Sequence, residues 1–573
     1  MIPLGAVKRW AAIVAAATVA GTATPGAGAP SAIGDGDLLV ESPADLIALE
    51  ARGFGIGRIG FATPDAADNA ALASDSGYQD ILAVLHDDFT ELYHKDKAWG
   101  PDMRHSHRGF DLRWLTSRHA RWELVAAANR ADRKAFAPGT CGELRFIYRL
   151  AYTVATASGP FSSRLPATLN IVYRQPDDGA GCRDAPLALR SEKPALGRLQ
   201  SVEINIQSSR WPSTIRPDMG GHADYLLRVF HRDGAHLRPF TLENTPDLPR
   251  LSRDTALKRE LLAWVRAHAP AIDSGIALAP ERFLAHRALS VTPHGLARPQ
   301  NRPWTGLFSE KDVAGLSLPP KALLRRLDGL SCMGCHQSRS LAGFHIVGAE
   351  RDAGRRADAL GIGISPHLEA DLPRRRAYLA ALLSGAAPDD RRPPAEHARN
   401  HGGFGDVCGL APAFSAWTCA PGFACRSVDN SDVGECMPAD ASPGAVCQSG
   451  LIDSRADRLR AAKPDGCGLM MVCDEPAVGF PGGMCASSCL AAGEHAVCGA
   501  IAQLEPFNAC LARGELFTKC AQHATPAGLR QCGPGDPCRP DYICAKTAQG
   551  ESACLPPYFV LQMRVDGHPR VPK

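Results

Sequence analysis

The 20 cysteines of this 573-residue chain are spread so unevenly that they divide it before any other pattern is considered. None occurs before Cys141, which is followed by Cys182. Cys332 and Cys335 are the only two between Cys182 and Cys408, and the other 16 lie from Cys408 to Cys554. Short units that cannot bury enough apolar surface are commonly held by disulfides, each adding roughly 2–4 kcal/mol. Residues 408–573 therefore read as a stapled region, while the cysteine-poor remainder must build ordinary cores. Cys408, Cys419, Cys425 and Cys436 are separated by 10, 5 and 10 residues, and Cys447, Cys467, Cys473 and Cys485 by 19, 5 and 11. Cys532, Cys538, Cys544 and Cys554 follow with 5, 5 and 9. The three tetrads share a central C-x5-C, and two carry Pro421-Gly-Phe423-Ala-Cys425 or Pro540-Asp-Tyr542-Ile-Cys544 before the third cysteine. Cys489, Cys498, Cys510 and Cys520 form a fourth, less similar set. This is an internal repeat of small modules. Four cysteines allow three pairings, so connectivity stays open. C-x5-C with few nearby histidines is unlike a zinc site.

The isolated pair lies in Cys332-Met333-Gly334-Cys335-His336, a C-x-x-C-H motif. Two thiols one turn apart can each add across a haem vinyl group, and the adjacent imidazole can then reach the iron. A plain disulfide, or a zinc site completed by His336 and His345, would use the same residues. The pentapeptide resembles the attachment motif of the cytochrome c family. That resemblance implies one covalent haem c, with Cys332 and Cys335 as thioether anchors and His336 as proximal iron ligand. It also implies a small α-helical module, here 311–385. A helix after Pro319-Pro320 carries Leu323, Leu324, Leu327 and Leu330, and a closing helix begins at Asp371-Leu372-Pro373 and stops at Gly385. No methionine occurs between Met333 and Met437, so a distal ligand falls to His367 or His345, or the position is open. The distal repeats are loosely similar to EGF-like and other disulfide-rich extracellular modules.

Export is consistent with both cysteine patterns. Residues 1–29 read as a signal peptide, with Lys8 and Arg9 before the apolar run Trp10 to Ala20. No later stretch reaches the roughly 18 apolar residues of a spanning helix. The expected location is periplasmic, or extracellular at the cell surface. Apolar residues make up 45% and charged residues 21%, enough for real cores, and a net charge of +3 gives no footprint for nucleic acid. Arg374-Arg375-Arg376 reads as the solvated face of a helix.

Residues 36–310 read as a domain with an antiparallel sheet and flanking helices. Ser42-Pro43 opens a helix that Gly53 stops. Gly55-Ile-Gly57-Arg-Ile-Gly60 matches G-x-G-x-x-G, but it follows a helix rather than a strand and reads as a flexible turn. A helix is expected over 79–92. From Cys141 the period becomes two: Leu144, Phe146, Tyr148, Leu150 and Tyr152 share one side, and Glu143, Arg145 and Arg149 take the other. Leu169, Ile171 and Tyr173 continue the pattern after a turn at Gly159-Pro160. Further strands are expected at Val202 to Ile206, Tyr225 to Phe230 and His236 to Leu242. Cys141 and Cys182 bracket the first hairpin and are expected to bond. A helix follows over Thr255 to His268. His105 and His107 form an H-x-H pair on a loop. No G-x-S-x-G, H-E-x-x-H, phosphate-loop or calcium-loop motif is present.

The fold class is thus multidomain α+β: an antiparallel sheet or sandwich, a small cytochrome c-like helical module, a linker over 386–407 and disulfide-rich repeats. The function this implies is that of an exported monohaem c-type cytochrome-like protein. It would pass electrons to a redox partner protein or a cell-surface component. A haem enzyme or small-ligand sensor, and a haem-less structural or adhesive protein, are the competing classes.

Overall fold

The computed structural model describes residues 32–438 except 65–66, 98–109, 111, 157–158, 178, 180, 192–195, 210–222, 293–301, 333–345, 347, 350, 352–363, 365, 393–406, 420–422 and 428–432. Beyond 438 it describes 451–453, 458–460, 471–474, 484–487, 533, 543–546 and 552–555. At the centre is an eight-stranded antiparallel sheet. Its path runs β1 (Leu39–Val40), β2 (Ala120–Arg130), β3 (Glu143–Thr156), β4 (Gly159–Arg174), β5 (Arg198–Ser209), β6 (Ala223–Asp233) and β7 (His236–Phe240), with β8 (Ala288–Thr292) paired to β6. Every strand expected from the alternation is found. Thr156 pairs with Gly159, so Gly159-Pro160 opens β4 instead of forming the turn. β2 gave no alternation because Leu124 to Ala128 are buried on both faces.

One face of the sheet is apolar. Leu144, Phe146, Tyr148, Leu150, Leu169, Ile171, Val202, Ile204 and Phe230 join a core completed by the N-terminal helices. These are α2 (Pro43–Leu49), α3 (Ile56–Gly60), α4 (Asn69–Leu72) and α5 (Ser76–Lys97), whereas Leu38 of α1 (Asp35–Leu38) packs on the other face with Val125 and Ile147. Leu46, Leu49, Ile56, Ile59, Tyr78, Ile81, Leu85 and Phe89 supply the covering side chains. Pro43 takes the first turn of α2 as expected, and Gly53 adopts φ +96 where the chain leaves a single π turn. The G-x-G-x-x-G stretch is not a flexible turn but the short buried helix α3. Its glycines permit close packing: a Cβ on Gly57 would lie 2.0 Å from the Pro64 carbonyl oxygen, and one on Gly60 2.8 Å from Ile171 Cδ1.

A second cluster gathers α6 (Leu248–Arg253), α7 (Thr255–Ala267), α8 (Ala269–Asp273), α9 (Pro303–Leu307) and α10 (Pro320–Leu330). Leu261, Val265 and Trp304 share it with Val313, Leu323 and Leu327, so residues on both sides of position 311 belong to one apolar core. Asp328 ties the end of α10 to α9 by accepting from the Trp304 N–H at 2.7 Å and from the Thr305 hydroxyl. Burial pushes its carboxyl up to about 6 despite those donors. α11 (Pro366–Ser384) begins before Asp371 and runs through Pro373. Its Leu368, Tyr378, Leu379 and Leu382 pack on Val125, Ala126, Ala128 and Ile147, in the cluster that also holds the bonded pair Cys141–Cys182. Among the described residues, no helix is long and apolar enough to cross a membrane.

In the cysteine-rich region, β9 (Val407–Gly409), β10 (Phe423–Ser427) and β11 (Val433–Pro438) form a small sheet, and Phe414 and Trp417 pack on Ala322 of α10. Three hairpins follow: β12 (Leu451–Asp453) with β13 (Arg458–Arg460), β14 (Met471–Asp474) with β15 (Met484–Ser487), and β16 (Ile543–Lys546) with β17 (Ser552–Leu555). Register places Cys425 opposite Cys436, Cys473 opposite Cys485 and Cys544 opposite Cys554. Third and fourth cysteines of all three tetrads thus meet across a hairpin. In the first tetrad Cys408 bonds Cys425, a first-to-third link.

If the repeat extends to bonding, Cys447 pairs with Cys473 and Cys532 with Cys544. Peptide mapping of the oxidised protein should recover both links, and hairpin partners bonded to each other would break the parallel. Gly57→Ala should destabilise the protein by about 1–3 kcal/mol through overpacking. Gly36→Ala, with nothing within 4 Å of its Cβ and a helical backbone, should not lower the urea midpoint.

Candidate functional site

The side of the sheet opposite the apolar core is polar, and it is also buried. Glu143 is 6% exposed, Arg145 3%, Arg149 0%, Thr168 1%, Asn170 2%, Glu203 8% and Asn205 3%. Strand register lines them up. Arg149 faces Thr168, which faces Asn205, and Asn170 faces Glu203. Alternation alone put Glu143, Arg145 and Arg149 on this side, but the usual occupant of a polar sheet face is water. Here apolar clusters flank it instead, one carrying α11 against β2 and β3 and the other lying along β6.

Buried charges must be paired. The Arg145 guanidinium bridges two carboxylates, donating to Glu143 Oε2 at 2.8 Å and to Glu203 Oε2 at 3.2 Å. Arg133 forms a two-pronged pair with Glu243 and lies 3.7 Å from Glu143. Arg130 donates to Asp132 at 2.8 Å, and Arg374 of α11 donates to the same Asp132 at 2.8 Å and to Asp371. Arg375 also donates to Asp371. The Arg374-Arg375-Arg376 stretch is therefore not a solvated face. Its first two members are committed to internal ion pairs, and Arg376 reaches the exposed Asp35. Phe136 lies beneath both the Arg133 and Arg392 guanidinium groups, at 4.1 and 5.4 Å.

The network separates its carboxyls. Burial pushes Glu143 up, but Arg145 and Arg133 outweigh it and hold the group at about 2. Glu203 feels the same burial and the nearby negative Glu143, and Arg145 does not fully compensate, so it stands above its ordinary value. Glu243 is desolvated too, yet Arg133 holds it low. Carboxyls pushed apart in this way are a common setting for one proton donor beside one permanent anion. Asn170 supports Glu203 with a hydrogen bond. The Thr168 hydroxyl, Asn170 Oδ1 and both amide atoms of Asn205 are buried with no hydrogen-bond partner among the described residues.

A cavity of about 400 Å³ opens at the end of this face. Its charged lining includes Arg133, Glu143, Arg145, Arg174, Glu203 and Glu243, and its apolar wall includes Val229, Phe240, Leu278 and Leu284. Cys332 stands next to it. The Cys332 N–H donates to Thr245 Oγ1 at 2.9 Å, its Sγ lies 3.5 Å from the Glu243 carbonyl oxygen, and its side chain is enclosed by Tyr225, Leu227, Val229, Leu242 and Ala288. Ile346 packs on the opposite flank with Ile147 and Val125. The described residues bordering 333–345 thus sit on either side of the polar strip. Cys335, His336 and His345 lie outside the described residues, as do His105 and His107. His367 lies in the first turn of α11, its side chain outside the description. Among the described residues, Cys141, Asp177 and Cys182 lie close enough to suggest a metal cluster, but the two cysteines are bonded to each other.

Sequence reading missed Glu203, Asn170, Asn205, Glu243, Arg133 and Asp132. One signal was present: the outward positions of β4 and β5 carry Asn, Glu and Thr without a single lysine from Thr168 to Val172 or from Ser201 to Asn205.

The network makes stability depend on pH in a defined sense. A carboxyl held below its ordinary value contributes stability above that value, and the contribution is lost as pH falls through the folded one. Urea unfolding of wild type and Glu143→Gln should therefore differ most above pH 4.5 and converge as pH falls to about 2. Arg145→Met should cost about 3–5 kcal/mol at neutral pH by leaving two buried carboxylates without their cation. A pH-independent difference would show that Glu143 is not held by this network. Compared with protein-family models, curated proteins and solved structures, the chain gives no match.

Proposed function

We propose that this is an exported, c-type cytochrome-like protein carrying one covalent haem c on Cys332 and Cys335, with His336 as proximal ligand. The haem would supply reversible one-electron chemistry at iron. The chain would supply its surroundings. One observation carries the reading: Cys332, first residue of the lone C-x-x-C-H, is enclosed by apolar side chains beside a pre-organised polar cavity. The apolar enclosure of the sulfur suits an uncharged thioether, which would give up the thiol's contact with the Glu243 carbonyl oxygen. Fixed ion pairs such as Arg145 with Glu143 and Glu203 would keep the adjacent wall from reorganising when charge changes nearby.

Electron transfer to a partner protein or cell-surface component is the role proposed first, with His367 or His345 as distal ligand. A haem enzyme or small-ligand sensor is the second reading, favoured by the cavity and by Glu203, whose carboxyl stands above its ordinary value. In either case residues 1–29 would be removed on export to the periplasm or beyond. The module over 311–385 would bear the cofactor, and the stapled repeats over 408–573, joined through 386–407, would dock to a partner or surface. Without haem, those repeats would make the protein structural or adhesive.

Intact mass and a haem stain of protein made in a cytochrome-maturing host test this reading. One added tetrapyrrole is expected, lost in Cys332→Ala/Cys335→Ala, with His336→Ala altering the spectrum. A distal histidine would show as low-spin iron indifferent to carbon monoxide, and His367→Ala or His345→Ala would change that spectrum. A Cys332–Cys335 disulfide without added mass would refute the proposal.

A further inference from the structure

We propose that the cavity over β3–β7 binds a small organic monocarboxylate, its carboxylate held by Arg174 and its apolar body lying against Val229, Phe240, Leu278, Pro280 and Leu284. Arg133 is paired with Glu243 and Glu143, and Arg145 with Glu143 and Glu203. Arg174 lines the same cavity, yet no ion pair or hydrogen bond engages its guanidinium among the described residues, and its Nε is buried without an acceptor. Strand register sets Arg174 between Arg198 of β5 and Glu143 of β3, whose carboxylate is already engaged by Arg145 and Arg133. An anion at Arg174 would complete a charge-assisted hydrogen bond that Glu143 does not supply.

The neighbouring groups fit this polarity. His231 stacks on Phe240 with centroids 3.5 Å apart and planes 16° from parallel. Burial, Arg174 and Arg198 all push its imidazole below the ordinary value. It is therefore neutral near pH 7 and offers a hydrogen bond without adding charge to the site. The wall beyond it is apolar, and about 400 Å³ falls in the range of small-ligand sites. Anion and apolar body are thus both provided for, which a bare inorganic anion would not use. This inference goes beyond the haem reading. Its residues lie outside the C-x-x-C-H motif, and the site would persist if those thiols formed a disulfide.

The experiment uses the full-length oxidised protein. Acetate, butyrate, benzoate and the neutral isostere benzamide are titrated by calorimetry, and the His231 titration is followed by NMR. Benzoate or butyrate should bind more tightly than acetate, and bound carboxylate should raise the His231 titration midpoint. Benzamide should bind at least about tenfold more weakly than benzoate, since charged hydrogen bonds contribute about a tenfold factor or more. Arg174→Gln should weaken benzoate about tenfold to a hundredfold with an unchanged urea midpoint, and Arg174→Lys should restore part of the loss. The proposal is overturned if no carboxylate moves His231, if benzamide matches benzoate, or if Arg174→Gln binds unchanged. The benzamide comparison on wild type decides the matter even if the variants do not fold.

Discussion

The Arg145 guanidinium, clamped between Glu143 and Glu203, is the interaction on which the rest of this structure turns. It lies on a sheet whose other face is already filled with apolar side chains. A sheet of this kind ordinarily leaves its second face to water. Here the second face is closed over as well, so each polar group on it must find a partner inside the protein or bear a desolvation cost of several kcal/mol per ion. The solution is two adjoining sets of ion pairs. Among the described residues one joins Arg130, Arg374, Arg375 and Arg392 to Asp132 and Asp371, and the other joins Arg133 and Arg145 to Glu143, Glu203 and Glu243.

These two sets explain why distant pieces of chain converge. Asp132 collects guanidinium groups from the end of β2, from α11 and from Arg392, so burial of its carboxylate is compensated from several directions and its pKa falls well below the ordinary value. Glu243 answers Arg133 and, through its own carbonyl, holds Cys332. Cys332 is therefore seated by the Glu243–Arg133 pair, part of the same closed polar face. Truncating one partner strands another as a buried unpaired charge, so the ion pairs act as a unit rather than as independent contributions. Such a network is weak evidence for net stability but strong evidence for a fixed arrangement of charge, which is what a redox or ligand site requires.

Much of the sheet was legible because one side of β3, β4 and β5 alternates: Leu144, Phe146 and Tyr148 announce their strand, as Val202, Ile204 and Ile206 do theirs. The Cys141–Cys182 bond followed from their bracketing of one hairpin. β2 was opaque because burial on both faces erases the period of two, leaving Leu124-Val-Ala-Ala-Ala128 without a pattern. The helix α3 was misread because its glycines serve packing against Pro64 and Ile171, and neither contact is local in sequence. The polar site was half legible. Glu143 and Arg145 could be assigned to a face, but nothing in the sequence of β3 says whether that face meets solvent. That depends on α11 and on Arg374, more than two hundred residues away along the chain. The cysteine tetrads, by contrast, were legible as a repeat from their spacing, although the hairpin in each was not.

The claim at the centre is that a charged sheet face is enclosed and held by paired guanidinium groups. Side-chain Nε–H exchange read by arginine-resolved NMR tests it most directly. Arg145, whose Nε donates to Glu143 at 3.0 Å, should keep its signal in D₂O long after exposed Arg238 has lost its own. Equal exchange at the two positions would mean that water reaches this face freely, and the account would be wrong.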